Sequence, residues 1–260
     1  SDVCSSDLAR AVTGRPKVLV FNGCYHGTVD DIFVTLKDGQ TVNRAGLLGQ
    51  VTDLSTLAVC CEFNDLAAVE AALAQGDVAA ILTEPVLTNS CMVLPAAGFL
   101  EGLRRLATQY GSLLILDETH TISTGYGGYC GVHGLQPDIF VVGKCVAGGL
   151  PTAAWGLSAT TAIRYQAANA NRPMGHSGMG TTLSANPLQF VCLCATLSQV
   201  MTRTAYDHMD HLAQRLLDGL TQAITAHHLP WHALRVGARV EFICAPGPLK
   251  NGAEAALAHQ

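Results

Sequence analysis

The chain of 260 residues carries a formal net charge of −5, with 49% hydrophobic and 13% charged types. That is enough for a large core and offers no basic field for nucleic acid. No apolar run reaches the roughly 18 residues of a membrane helix and no secretory signal opens the chain, so neither membrane nor nucleic acid is expected as a partner and a cytoplasmic setting is. A charged fraction this far below the roughly one quarter of ordinary soluble domains predicts surface covered by a partner subunit.

In chain order, Ser5 or Ser6 could cap a short first helix, and Lys17–Phe21 reads as a strand ending on Asn22-Gly23-Cys24-Tyr25-His26-Gly27. Residues 28–56 are polar, glycine-bearing and without helical period, the pattern of a functional or mobile loop. Leu57–Cys61 is a strand, Asp65 starts a helix with Ala68, Ala71, Ala72 and Leu73 on one face, and Val78–Leu82 is a strand closed by Glu84-Pro85. Gly98–Gly111 is amphipathic, with Phe99, Leu103 and Leu106 at helical spacing. Leu113–Leu116 runs into Asp117-Glu118, and Asp138–Val142 runs into Gly143-Lys144 and Gly148-Gly149. Ala153–Leu157 is a further strand, Leu188–Met201 and Tyr206–His228 are helices, and Val240–Cys244 is a last strand. Strands alternating with helices predict an α/β fold with a mostly parallel sheet.

Open α/β sheets place ligands beyond the carboxyl ends of their strands, and this chain puts an acid, Asp117, and a lysine, Lys144, at two such ends. Lysines are scarce: Lys17, Lys37, Lys144 and Lys250 are all there are. Only Lys144 lies between an apolar strand and a glycine pair that lets backbone approach a ligand. A Walker B strand also ends in acids, but no phosphate loop of the form G-x-x-x-x-G-K-[ST] occurs. An amine and a carboxylate delivered to one crevice suit pyridoxal 5'-phosphate, whose aldehyde is held by a lysine and whose pyridinium nitrogen pairs with an acid. The ten cysteines include no C-x-x-C pair and the ten histidines do not cluster, so no metal site is expected.

The segments Asp117-Glu118-Thr119, Pro137-Asp138-Ile139, Gly143-Lys144-Cys145 and Gly148-Gly149-Leu150-Pro151 resemble the class III pyridoxal-phosphate aminotransferases, and within them the glutamate-1-semialdehyde aminomutase group. The resemblance implies the large domain of a fold-type I transferase, a sheet flanked by helices, followed by the start of a small C-terminal α+β domain. It implies that Lys144 holds the cofactor and that Asp117 pairs with its ring nitrogen. Thr119 stands where valine is usual, against the ring. Tyr25-His26-Gly27 is similar to the family's Y-H-G element, so Tyr25 is expected to stack on the ring with His26 beside it. Glu84-Pro85 through Asn89 is similar to the E-P-x-x-x-N element, with Glu84 near the ring and Asn89 at its phenolic oxygen. Residues 28–56 would include a gating loop. Gly180-Thr181-Thr182 through Pro187 matches the element whose threonine, here Thr182, binds the phosphate of the neighbouring subunit in a homodimer with shared sites.

By the same resemblance, 1–8 is a foreign or disordered end, 9–200 the cofactor-binding domain and 201–260 a linker helix with part of the small domain. The likeness runs from about Ala9 to Gly247, the middle of the family's usual length, so the chain reads as a fragment. The implied activity is transfer of an amino group between an amino compound and a keto or aldehyde acceptor. Intramolecular transfer of the aminomutase kind, or a non-catalytic interaction module, are the alternatives.

Overall fold

The computed structural model describes residues 3–170, 172–173 and 183–258. Its centre is a six-stranded sheet of β1 (Lys17–Phe21), β4 (Ala58–Cys61), β5 (Val78–Thr83), β6 (Leu113–Asp117), β7 (Ile139–Val142) and β8 (Ala154–Leu157), in the order β4-β1-β5-β6-β7-β8. Every neighbouring pair is parallel except β7 with β8, which is antiparallel. β5 is buried at every position. It touches both α1 (Val3–Thr13) and α3 (Phe99–Tyr110), because a parallel sheet must be covered on both faces. α2 (Leu66–Leu73) packs on α3, and α1 packs on α5 (Ala159–Ala170).

Phe21, Phe63 and Phe99 meet edge to face at 5.3, 5.6 and 4.7 Å between centroids. Each is almost wholly buried, a burial that contributes roughly 2–3 kcal/mol per ring. The Asp65 side chain caps α2 by accepting from the Ala68 amide, as the sequence position implies.

The structure departs from the expectations at several places. Residues expected to lie outside the fold join it: Ser5, Ser6 and Leu8 are buried in α1, because Leu8, Ala9 and Val12 give that helix an apolar side. Inside 28–56 lies a hairpin of β2 (Val34–Lys37) and β3 (Gln40–Asn43). Its two-residue turn, Asp38-Gly39, has both φ angles positive, the sequence signature of a tight hairpin. α5 follows β8, where no helix is expected, and α4 (Gly128–His133) fills part of the glycine-rich stretch after Asp117. After α6 (Pro187–Ala195), Thr196–Val200 form a π turn in place of one continuous helix.

The long α7 (Arg203–Ala226) leads to an antiparallel pair, β9 (His232–Val236) and β10 (Arg239–Ile243), and then to α8 (Gly252–Ala258). The hairpin turn seats on the segment that follows β6: the Ala238 amide donates to the Ser123 carbonyl at 3.1 Å. Gly237 sits so close that a Cβ would meet the Thr124 backbone at 2.2 Å. No described helix is long and apolar enough to cross a membrane.

Candidate active site

A small cavity opens beyond the carboxyl ends of β1, β5, β6 and β7, lined by Tyr25, His26, Gly27, Glu84, Asp117, Thr119, His120 and Lys144. Asp117 ends β6 and the other lining residues lie in the segments that follow β1, β5, β6 and β7, so the register of the parallel sheet brings together side chains from four separate segments of the sequence. Lys144 follows β7, exposed and with φ of +55°, a left-handed conformation rare for a residue with a Cβ. Such local strain persists where surrounding structure enforces it.

Asp117 is 5% exposed. Its Oδ2 accepts from His26 Nδ1 at 2.9 Å and its Oδ1 from the Thr119 amide at 3.0 Å. Burial pushes the carboxyl up, but the hydrogen bond and charge of His26, with the Thr119 amide, outweigh it and hold Asp117 down at about 2. Burial likewise pulls His26 down, and the neighbouring Cys24 sulfur and Asp117 carboxylate outweigh that, leaving it well above its ordinary value. The buried pair is therefore an ion pair, with Asp117 an anion at neutral pH. His26 Nε2 is buried with no hydrogen-bond partner.

Glu84, 2% exposed, accepts from the Thr88 hydroxyl through Oε2, while its Oε1 is buried without a partner. His120 Nδ1 lies against the same Thr88 oxygen and 3.5 Å from Glu84 Oε2. Glu118, the second acid of the pair after β6, has a structural part. Fully buried, it accepts from the amides of Tyr129 and Cys130 at 2.7 and 2.6 Å and from Thr121 Oγ1 at 2.9 Å. Gly128 allows this, since a Cβ there would lie 2.7 Å from Glu118 Oε2.

The cavity thus collects Lys144, Asp117, Tyr25, His26, Glu84 and Thr119. Tyr25 is 44% exposed at its edge. Asn89 is exposed and does not line it; the side chain of the preceding Thr88 turns toward Glu84 and His120 instead. Thr182 lies outside the described residues. His120 and Thr88 are the site residues that sequence reasoning missed. The signal for His120 was its position three residues past Asp117, still at the strand's carboxyl end.

These residues fit the ring end of pyridoxal 5'-phosphate. A buried carboxylate kept ionised can hold a pyridinium proton, a lysine on the same cavity can take the aldehyde, and the orphaned Nε2 and Oε1 leave polar capacity for a ligand.

A family model described as aminotransferase class-III matches residues 4–237. A glutamate-1-semialdehyde 2,1-aminomutase of Anaeromyxobacter sp. is 37% identical over 96% of this chain and 58% of its own length. The structure of a glutamate-1-semialdehyde-aminomutase from Pseudomonas aeruginosa PAO1 superposes with a TM-score of 0.94 at 47% identity, over 98% of this chain and 58% of that one. A variant of that protein has been crystallised in complex with PMP. An omega-transaminase from Sphaerobacter thermophilus superposes with a TM-score of 0.85 at 28% identity, covering 96% and 58%. The chain therefore spans a little over half the length of the relatives it matches. With strand-end lysine, ionised buried aspartate and this likeness agreeing, the chain belongs to the class III aminotransferases.

Proposed function

We propose that this chain carries the catalytic centre of a pyridoxal-phosphate-dependent enzyme that moves an amino group between an amino compound and a keto or aldehyde acceptor. The observation that supports it most is the pairing of Lys144 with a buried, ionised Asp117 on one cavity. When bound, the cofactor supplies an aldehyde for the amino group and a ring that accepts the electron pair released at the substrate's α-carbon. Asp117 keeps the ring nitrogen protonated, and the His26 ion pair keeps Asp117 from taking that proton itself. Lys144 would hold the cofactor, and its amine would serve to move the proton on the substrate's α-carbon. Tyr25, Thr119 and Glu84, which line the cavity, would help to hold the ring.

Relatives named glutamate-1-semialdehyde 2,1-aminomutase favour, as a second reading, return of the amine to another carbon of the same molecule. Loading with pyridoxal phosphate, reducing with borohydride and mapping peptides tests the centre. Cofactor is expected on Lys144, and attachment to Lys17, Lys37 or Lys250 refutes the assignment.

We further propose a homodimer with shared sites, in which Thr182 reaches the partner's phosphate. Leu188, Phe190, Val191, Leu197 and Val200 around α6 are exposed, an apolar row of the kind a partner covers. Mixing Thr182→Ala with Lys144→Ala protein should restore activity, because one composite site then carries both lesions and the other neither. Heterodimers that restore nothing, or a cofactor-loaded monomer by light scattering, refute sharing. Cys24, Cys60, Cys61 and Cys130 are buried thiols outside any disulfide, which suits a reducing compartment such as the cytoplasm.

A further inference from the structure

A second chain of polar contacts runs behind the cavity, from Glu84 through Thr88 to His120. A threonine hydroxyl has one proton to give. With that proton directed to Glu84 Oε2, Thr88 offers His120 only a lone pair. Nδ1 must then carry the ring's hydrogen, and Nε2 of the neutral ring is left with a lone pair for a ligand in the cavity that His120 lines. A carboxylate behind a histidine fixes the tautomer in this way and stabilises the imidazolium that forms when Nε2 takes a proton.

The β9–β10 hairpin holds the backbone at the middle of the relay and just beyond His120. Arg239 Nη2 donates to the Thr88 carbonyl at 3.3 Å, and the Ala238 amide holds the Ser123 carbonyl, three residues beyond His120.

We propose that His120 is a general base of this site, taking the proton from the incoming substrate ammonium. The inference rests on the amino-transfer reading above. A primary amine with an ordinary pKa of about 10 reaches the site as an ammonium ion, with no lone pair to attack the carbon that Lys144 would hold. In the step, one N–H bond of the ammonium breaks and an Nε2–H bond forms. The electron pair stays on the substrate nitrogen, and the positive charge passes to the imidazole beside Glu84.

The other titratable groups lining the cavity already have partners or roles, with Glu84 Oε1 and His26 Nε2 left open toward a ligand. Asp117 and His26 pair with each other, and Lys144 would be occupied by the cofactor. Arg239 pairs with Glu241 on its own strand. His120 lines the same cavity, with its Nδ1 engaged by Thr88.

The test uses the cofactor-loaded protein and two probes that displace Lys144 with a visible spectral change. Methylamine is an ammonium ion at neutral pH; methoxyamine is already neutral. His120→Gln should slow methylamine by about 100-fold or more, within the range of general base catalysis. It should leave methoxyamine unchanged, and the methylamine deficit should shrink as pH rises. Glu84→Gln, which keeps a partner for Thr88 but removes the charge, should give an intermediate loss. Independently of turnover, nitrogen-15 NMR of the histidines should show His120 with hydrogen on Nδ1 and a bare Nε2. Equal methylamine rates with and without His120, an equal loss for both probes, or a bare Nδ1 overturns the proposal while leaving the function intact. A wild-type protein that traps no cofactor on Lys144 refutes the function itself and this step with it.

Discussion

The two ends of one sheet are built on opposite terms. At the amino ends, charged groups are saturated: Arg15 donates to the Val78 and Tyr110 carbonyls and the Ser112 hydroxyl at 3.1, 2.9 and 3.2 Å. Asp138 there accepts from Arg104 at 2.6 Å and from the Leu114 amide at 2.8 Å. At the carboxyl ends, groups buried more deeply keep atoms without a protein partner, His26 Nε2 and Glu84 Oε1. Leaving a buried polar atom unpaired costs about 1–3 kcal/mol, so a fold selected for stability alone would not leave two such atoms on one cavity. Polar groups at the amino ends clamp the strands together; those at the carboxyl ends hold bonding capacity in reserve for a ligand.

That contrast breaks if lesions at the two ends have the same consequences. The largest effect is expected from Lys144→Ala, which should abolish borohydride-trapped cofactor without lowering the midpoint of chemical denaturation of the cofactor-free protein. Asp117→Asn should keep the cofactor bound while cutting turnover by at least about 100-fold, because a neutral partner no longer holds the ring proton. Single-turnover absorbance measurements would show it, and a near-normal rate would remove Asp117 from the chemistry. Arg15→Ala should do the reverse, lowering stability by about 1–3 kcal/mol in urea titrations with cofactor attachment to Lys144 intact.

The smallest effect sharpens the comparison through pH. His26 is raised above 6.5 in the folded protein, so its contribution is fully present below 6.5 and is lost as pH rises through the folded value. Asp117 is lowered from 3.8 to about 2, so its contribution is present above 3.8 and is lost as pH falls toward 2. The melting temperature should therefore decline on the alkaline side of 6.5, and His26→Asn should flatten that decline in melting curves from about pH 6 to 9. An unchanged slope would mean that the pair is not ionic.

The strands were legible because buried parallel strands are short apolar runs with little else to be. β1, β4, β5, β6, β7 and β8 fall within a residue of where the pattern puts them. The lysine and the acid were legible for a related reason: a strand that ends on a charged residue must present it at the sheet's edge. The Asp38-Gly39 hairpin was equally local and needed only its turn chemistry to be read.

What the amino-acid order could not decide was which residues at those edges would touch. Glu118 and Asp117 are adjacent acids, yet the strand's alternation sends Asp117 to His26 and the cavity and Glu118 to the amides of α4. Thr88 and Asn89 are neighbours in a turn, and only the tertiary path of that turn sends Thr88 to Glu84 and leaves Asn89 exposed. His120 meets a threonine 32 residues earlier in the chain, a contact created by the register of β5 against β6. The sequence by itself determined the periodicity, the strand ends and the chemistry available there, because these depend on neighbours along the chain. The tertiary structure alone decided the hydrogen-bond partners, and with them the charge states, because burial and contact across strands depend on residues far apart in sequence.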